Sequence, residues 1–272
     1  MKRRALKGVR ILVGRARHQA GALSARLKLL GAEVVEIPFI EIRPPRSYKP
    51  LDHALRKIVE YDWLILTSVN GVHAFAARMR QLRLNPQALK HLKIAAIGPA
   101  TRDAIMELGL RVTIVPEDYI AESVVESVQK KVKGKQILLA RARIARDVIP
   151  RELRNAGAKV TVVEAYETVV PRSSQRKLRR LVSNPKSRPD VVVFTSSSSV
   201  KGFITLLGGT RIAHARSKSR SQAALAGIQL ASIGPITSAT LRDYGLPVTI
   251  EARRYTIPGL IEAIQKKVRK QT

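Results

Sequence analysis

The sequence predicts an α/β protein of two similar domains, each a parallel β-sheet flanked by helices, joined by a two-stranded linker and descended from one internal duplication. Three observations carry this. Short apolar runs are bounded by glycine or Thr-Ser, amphipathic stretches follow them, and the second half of the chain restates the first in three blocks.

The first block, GVRILVGRARHQAGALSARLKLLGAEVV from Gly8, returns as GKQILLARARIARDVIPRELRNAGAKVT from Gly134. Gly8, Arg15, Arg17, Gly31 and Pro45 meet Gly134, Arg141, Arg143, Gly157 and Pro171, all at a spacing of 126. In the second block YDWLILTSVNGVHAF (Tyr61 to Phe75) pairs with PDVVVFTSSSSVKGF (Pro189 to Phe203) at a spacing of 128. In the third, IGPATRDAIMELGLRVTI from Ile97 pairs with IGPITSATLRDYGLPVTI from Ile233, identical at nine of eighteen positions and 136 apart. The later copy therefore carries eight extra residues, which fall in GGTRIAHARSKSRSQAAL. That stretch is basic and Ser-rich, and residues 208–222 read as an exposed loop.

Within the first copy, RILVG is a strand leading to a helix that ends near Leu30. EVVEIPF is a second strand, WLILT a third with a helix behind it, KIAAIG a fourth with another helix, and VTIV a last edge. Runs of four to six Val, Ile, Leu and Ala are what a strand buried on both faces requires. Both copies then close on a helix ending in Gln-Lys-Lys-Val, at Gln129 and Gln265.

A chain of 272 residues with 45% hydrophobic residues is long enough for two such cores. The absence of cysteine excludes disulfides, thiolate nucleophiles and Cys-based zinc or iron–sulfur sites. The opening MKRRALKGVRILVG is too short and too charged in its apolar part for a signal peptide, and no apolar stretch approaches the roughly 18 residues of a membrane helix. A soluble cytoplasmic protein is expected. Fifty Lys and Arg against twenty Asp and Glu leave a formal charge of +30, which attracts any polyanion, whether nucleic acid, anionic membrane or polycarboxylate.

In open α/β sheets, ligands bind at the carboxyl ends of strands, where helices present unsatisfied N–H groups. Four turns of that kind occur: Thr67-Ser68-Val69-Asn70-Gly71, Gly98-Pro-Ala-Thr101, Thr195-Ser196-Ser197-Ser198-Ser199, and Gly234-Pro-Ile-Thr237. Small hydroxyl residues let the backbone come close, and helix N-termini favour anions. The same residues are also ordinary caps, with Pro99 and Pro235 ordinary first-turn prolines. Arg15 and Arg141 follow the first strand of each copy, where a guanidinium meets a carboxylate bidentately or remains a solvated loop charge. Tyr166, in VVEAYETVVP, lies opposite Ile40 of EIPFIEIRPP. Both segments read as extended crossings ending in proline, where a tyrosine either donates a proton to a leaving group or packs a linker.

Several familiar sites are absent. There is no Gly-x-Gly-x-x-Gly, no Gly-Lys-Ser/Thr phosphate loop and no Gly-x-Ser-x-Gly elbow. His18, His53, His73, His91 and His214 have no metal-ligand spacing, and Ser196 to Ser199 have no visible base partner. These features argue against redox cofactors, metals and covalent catalysis.

An RILVGR-like opening, then LTSVNGV, AAIGPAT, LLARARIARDVIPREL, VVEAYETV, VVFTSSSSV and ASIGPITSATL, in that order, resemble the uroporphyrinogen-III synthase family over nearly the whole chain. The resemblance implies a bilobed monomer in which the chain crosses twice between domains. One domain then combines 1–37 with 172–272 and the other is 43–164, with linkers 38–42 and 165–171; the repeat alone divides the chain near 133. It implies cofactor-free closure of hydroxymethylbilane to uroporphyrinogen III in the cleft between the domains, with loss of the terminal hydroxyl as water and inversion of the last pyrrole ring through a spiro intermediate. A transient hand-over from the preceding synthase is compatible with this reaction. The family's VYxT-like tyrosine matches Tyr166, which would assist departure of the hydroxyl. Its cleft-facing threonines match Thr101 and Thr237, and its serine-rich turn matches Thr195 to Ser198, which would bind substrate acetate and propionate groups largely through backbone N–H.

Two other readings remain at this point. A nucleic-acid-associated protein would use the basic surface and the 208–222 loop, although 4% aromatics and no reading module speak against specific recognition. A two-domain small-anion binding protein without catalysis suits the duplicated fold equally well.

Overall fold

The computed structural model describes residues 5–15, 17–208 and 225–268. The basic, Ser-rich 208–222 segment lies, apart from Gly208, outside the described residues. Strands β1 (Arg10–Val13), β2 (Glu33–Glu36), β8 (Val191–Phe194), β9 (Gln229–Ser232) and β10 (Ile250–Glu251) form one sheet in the order β10-β9-β8-β1-β2. Strands β3 (Glu41–Arg43), β4 (Trp63–Leu66), β5 (Lys93–Ala96), β6 (Gln136–Ala142) and β7 (Lys159–Val169) form another in the order β3-β7-β6-β4-β5. All pairings whose register is defined are parallel. The chain divides into two compact units, one formed from residues up to Glu41 and from Val169 onward, the other from Ile42–Thr168.

Each unit mixes the two copies of the repeat. The first unit takes β1 and β2 from the first copy and β8 to β10 from the second. The other unit takes β4 and β5 from the first copy and β6 and β7 from the second. The join is made at the middle of each sheet, where β1 pairs with β8 and β6 with β4. One aspartate fixes the register at each join. The Asp62 carboxylate accepts the Gln136 N–H at 2.8 Å, while the Asp62 N–H donates to the Gln136 carbonyl and its own carbonyl accepts from Lys93. Asp190, spaced 128 from Asp62, repeats all three bonds, with Arg10 N–H at 2.7 Å and Gln229 as the third partner.

The central strands β4 and β8 are buried along their whole length, so alternate residues face opposite cores. In the second unit Leu64, Leu66, Leu138 and Ala140 meet α2 (Lys49–Arg56), α3 (Val69–Gln81) and α4 (Pro99–Met106). Trp63, Ile65, Ile137 and Leu139 meet α5 (Ala121–Val128) and α6 (Val148–Asn155). In the first unit Leu12, Val192 and Phe194 face α7 (Arg172–Ser183), α8 (Ser197–Leu207) and α9 (Pro235–Asp243). Ile11, Val13 and Val193 face α1 (Arg17–Leu29) and α10 (Ile257–Val268). The predicted α/β class with helices on both sheet faces is therefore present in each unit.

Two differences from the sequence pattern have local causes. The VTIV edge expected after α4 reduces to one bridge, Ala95 with Ile114, because the Thr113 hydroxyl replaces a strand carbonyl and accepts the Ile94 N–H at 3.1 Å. Thr249 does the same to Leu230 at 2.7 Å, leaving β10 only two residues long. The helix expected to run through Gln129 stops at Val128 and tightens into a 3₁₀ turn over Gln129–Lys131, whereas its counterpart α10 continues through Gln265 to Val268.

Phe39 packs with Phe194 and Phe203 at ring-centroid distances of 5.8 and 4.8 Å. This approach needs two glycines. A Cβ on Gly14 would lie 1.9 Å from the Phe39 ring, and one on Gly202 would lie 2.3 Å from the Phe39 carbonyl oxygen. A backbone oxygen cannot swing aside as a ring can. Gly202→Ala is therefore expected to cost about 2–3 kcal/mol of stability through overpacking, read as a fall in Tm.

The Asp62 carboxyl is held below its ordinary value, first by the Gln136 N–H and then by the Lys135 ammonium 2.9 Å away. Its contribution is complete above the ordinary aspartate value of about 4 and fades as pH falls through the lower folded value. Asp62→Asn should lower stability at pH 7 and flatten the loss between neutrality and about pH 3, as measured by urea unfolding at both ends.

Candidate active site

Parallel pairing directs the carboxyl ends of β4, β5 and β6 in one unit, and of β8, β9 and β1 in the other, to one edge of their sheet. Helices α3, α4, α8 and α9 begin there. Ser68 and Ser196 end the buried strands in extended conformation and cap α3 and α8, accepting from Gly71 N–H at 3.0 Å and Ser199 N–H at 3.2 Å. Gly98 and Gly234 cap α4 and α9, with Pro99 and Pro235 in the first turn. Thr67, Ser68 and Asn70 are half-buried, as are Thr195, Ser196 and Ser197, while Ser198 is exposed.

Thr101 and Thr237 are both only 4% exposed, so each turn offers outward mainly backbone. The Ser197 hydroxyl is held inside its unit: it donates to the Ile236 carbonyl at 3.3 Å and accepts from the Thr240 hydroxyl at 2.8 Å. The Gly98 and Gly234 turns each lie under a tyrosine the sequence reading did not single out. A Cβ on Gly98 would lie 3.2 Å from Tyr119 Cγ, and one on Gly234 2.8 Å from Tyr255 Cδ1. Both rings are partly exposed, and both tyrosines obey the 136 spacing of the third block, a signal that would have found them.

Tyr166 comes from β7, opposite Ala142 where the β6–β7 register shifts, and its carbonyl accepts the Arg143 N–H at 2.9 Å. Tyr166 is 7% exposed, and its ring edge lies 3.8 Å from where a Cβ on Gly71 would stand, at ordinary contact distance. Its hydroxyl is 2.9 Å from Ser68 Oγ, either atom able to donate. Ser68 Oγ also accepts the Gly71 N–H, so the α3 cap and the phenol share one hydroxyl. Burial raises the Tyr166 pKa above 10, while the Ser68 hydrogen bond pulls it down by less. Tyr166 is thus a neutral phenol near pH 7.

The duplicate of this arrangement in the other unit lacks the phenol. Ile40 occupies the position of Tyr166 and packs against Gly202, so the capping Ser196 meets no phenol there. The two arginines differ as well. Arg141 donates to Asp147 at 2.6 Å and to the Arg146 carbonyl at 2.9 Å, whereas Arg15 Nε is buried and has no hydrogen-bond partner. Arg143 is engaged with Glu167 at 3.0 Å.

Hollows of about 740 and 560 Å³ open at the amino ends of β9 and β5, lined by duplicated residues such as Ile228 with Leu92 and Thr249 with Thr113. They lie at the opposite edge of each sheet from the capped turns and from Tyr166, so the site is placed by its polar groups rather than by the hollows. Among the described residues no group of three or more His, Cys, Asp or Glu could hold a metal ion, and no helix is long and apolar enough to cross a membrane.

A duplicated pair of parallel α/β units, each with glycine- and hydroxyl-rich turns at its carboxyl edge and one with a buried phenol–serine pair, defines a class of two-unit α/β proteins. The comparisons narrow that class. A family model described as uroporphyrinogen-III synthase HemD matches residues 21–262. The uroporphyrinogen-III synthase of Synechococcus elongatus is 34% identical over 273 residues, covering all of both chains. That of Chlorobaculum parvum is 24% identical, over 95% of this chain and 99% of its own. The crystal structure of a mutant uroporphyrinogen III synthase from Thermus thermophilus shares the fold at a TM-score of 0.70 and 16% identity, covering 97% of this chain and 100% of that one. The chain belongs to the uroporphyrinogen-III synthase family.

Ser68→Ala should lower stability by about 1 kcal/mol through loss of the α3 cap and move the Tyr166 pKa further up, since the hydrogen bond that lowers it is gone. Thermal unfolding and NMR of ring-labelled tyrosine measure the two effects. Ser196→Ala should show the first effect and leave every tyrosine resonance in place.

Proposed function

We propose that the chain closes hydroxymethylbilane to uroporphyrinogen III, with Tyr166 as the residue that assists departure of the terminal hydroxyl. The observation that carries the reading is the Tyr166–Ser68 hydroxyl pair, present in one of two otherwise duplicated positions of a chain in this family. The electron-rich pyrrole expels the hydroxyl by pushing electrons from its nitrogen as the C–O bond breaks. The protein's part is to hold the linear tetrapyrrole in shape, exclude water and supply one hydrogen bond or proton. A phenol kept neutral by burial does this without competing as a base, and the Ser68 hydroxyl 2.9 Å away holds it in place.

The substrate's acetate and propionate groups are to be met by the backbone N–H groups at the Thr67–Asn70, Gly98–Thr101, Thr195–Ser198 and Gly234–Thr237 turns, where helix N-termini favour carboxylates. Tyr119 and Tyr255 wall two of these turns with ring surface. On this reading the chain acts as a cytoplasmic monomer with hydroxymethylbilane as its ligand, no cofactor, and at most transient contact with the synthase that supplies it. The positive charge favours capture of such a polycarboxylate.

A coupled assay with freshly generated hydroxymethylbilane, resolving the uroporphyrinogen isomers after oxidation, tests the activity. Predominance of isomer III is expected, and isomer I alone from folded protein sinks the reading. Tyr166→Phe keeps the ring and the α3 cap and should lower kcat about 100-fold, with stability changed by no more than about 1 kcal/mol. Unaltered kcat would remove Tyr166 from the mechanism.

A further inference from the structure

The duplicated arginines have parted company. Arg15 and Arg141 stand 126 residues apart, each just past or at the end of the strand that joins the two halves of its sheet. Arg141 has its counter-charge built in: Asp147 lies 2.6 Å from one terminal nitrogen, and the Arg146 carbonyl accepts from the other. The first copy has no such carboxylate, because the position matching Asp147 is Gly21. Arg15 Nε is buried without a hydrogen-bond partner, and among the described residues no acidic side chain pairs with the guanidinium.

A guanidinium stays charged under these conditions even though burial lowers its proton affinity, so the half-buried Arg15 carries a charge with no acidic partner among the described residues. Such a charge is unfavourable unless something supplies the missing anion. Its location says where the anion comes from. β1 ends at Val13, in register with Val193 of β8, so Arg15 follows the carboxyl end of β1 on the same sheet edge where the Thr195–Ser199 turn begins. In the other unit the equivalent edge has its own ion pair.

We infer that Arg15 is a substrate-binding residue that takes one acetate or propionate carboxylate of the tetrapyrrole through its guanidinium fork, while Arg141 spends its fork on Asp147 and serves the fold. This rests on the synthase reading above and adds to it a division of labour between residues that the repeat makes look equivalent. The divergence parallels that of Tyr166 and Ile40: the phenol is kept in one unit and the open guanidinium in the other.

The test compares the full-length wild type with Arg15→Gln and Arg15→Lys, measuring KM and kcat for hydroxymethylbilane together with Tm. Loss of one charge-assisted hydrogen-bonding partner should raise KM about tenfold or more in Arg15→Gln, with a smaller change in kcat. Arg15→Lys should recover part of that by restoring charge without the fork. Because no described residue partners the Arg15 guanidinium, Tm of Arg15→Gln should equal or exceed that of the wild type, whereas Arg141→Gln should lower it. Unchanged KM in Arg15→Gln, or a raised KM that merely tracks a fallen Tm, overturns the assignment. If wild type yields isomer III and only the KM expectation fails, this inference alone is lost; if wild type yields isomer I alone, the synthase reading falls and takes the inference with it.

Discussion

A carboxylate just before an interior strand of each sheet, β4 in one and β8 in the other, holds the join on which the rest of this protein depends. Asp62 and Asp190 each bind the first N–H of a strand from a distant part of the chain and close the backbone ladder on both sides, at 2.8 and 2.7 Å. The strands they fix are the ones that cross between repeats, β6 onto β4 and β1 onto β8. In a sheet covered on both faces a slip of one residue would send every side chain to the opposite core, so a register pinned by a charge-assisted bond protects both cores at once. It also sets the height of the carboxyl edge, where the capped turns, Tyr166 and Arg15 are found.

With that edge fixed twice by the same device, duplication supplied two equivalent starting sites, and substitution made them different. Over α3 a tyrosine ring lies near Gly71 and its hydroxyl meets the capping serine. Over α8 the equivalent place holds Ile40 against Gly202, with the Phe39 backbone pressed so close that no other residue fits. Each unit thus keeps its pair of capped turns, and the buried phenol–serine pair is found in one of them.

The sequence made much of this legible. Its repeats gave the duplication at constant spacings, and the buried runs gave the strands. The turns Thr67–Gly71 and Thr195–Ser199 were readable as caps because strand-then-hydroxyl-then-helix is a local pattern. The walls over the glycine turns were readable in principle, since Tyr119 and Tyr255 keep the spacing of the third block, but a lone tyrosine beyond a helix gives no local sign of where its ring falls. The shortened VTIV edges were not readable, because whether a threonine hydroxyl replaces a carbonyl in a ladder depends on the neighbouring strand.

By itself, then, the sequence determined the class of fold, the caps, the family and the candidate residues, since these follow from periodicity and from residue types acting within a few positions of themselves. The tertiary structure shows which halves share a sheet, an arrangement that the repeat left open and that the family resemblance alone implied. The same repeat pattern allows strands to pair within a copy or across copies, and the choice lies in contacts more than a hundred residues apart. It also decided which of two equal-looking arginines has a partner and which of two equal-looking crossings carries a hydroxyl pair, because a side chain's charge balance and burial are set by the neighbours that folding brings to it.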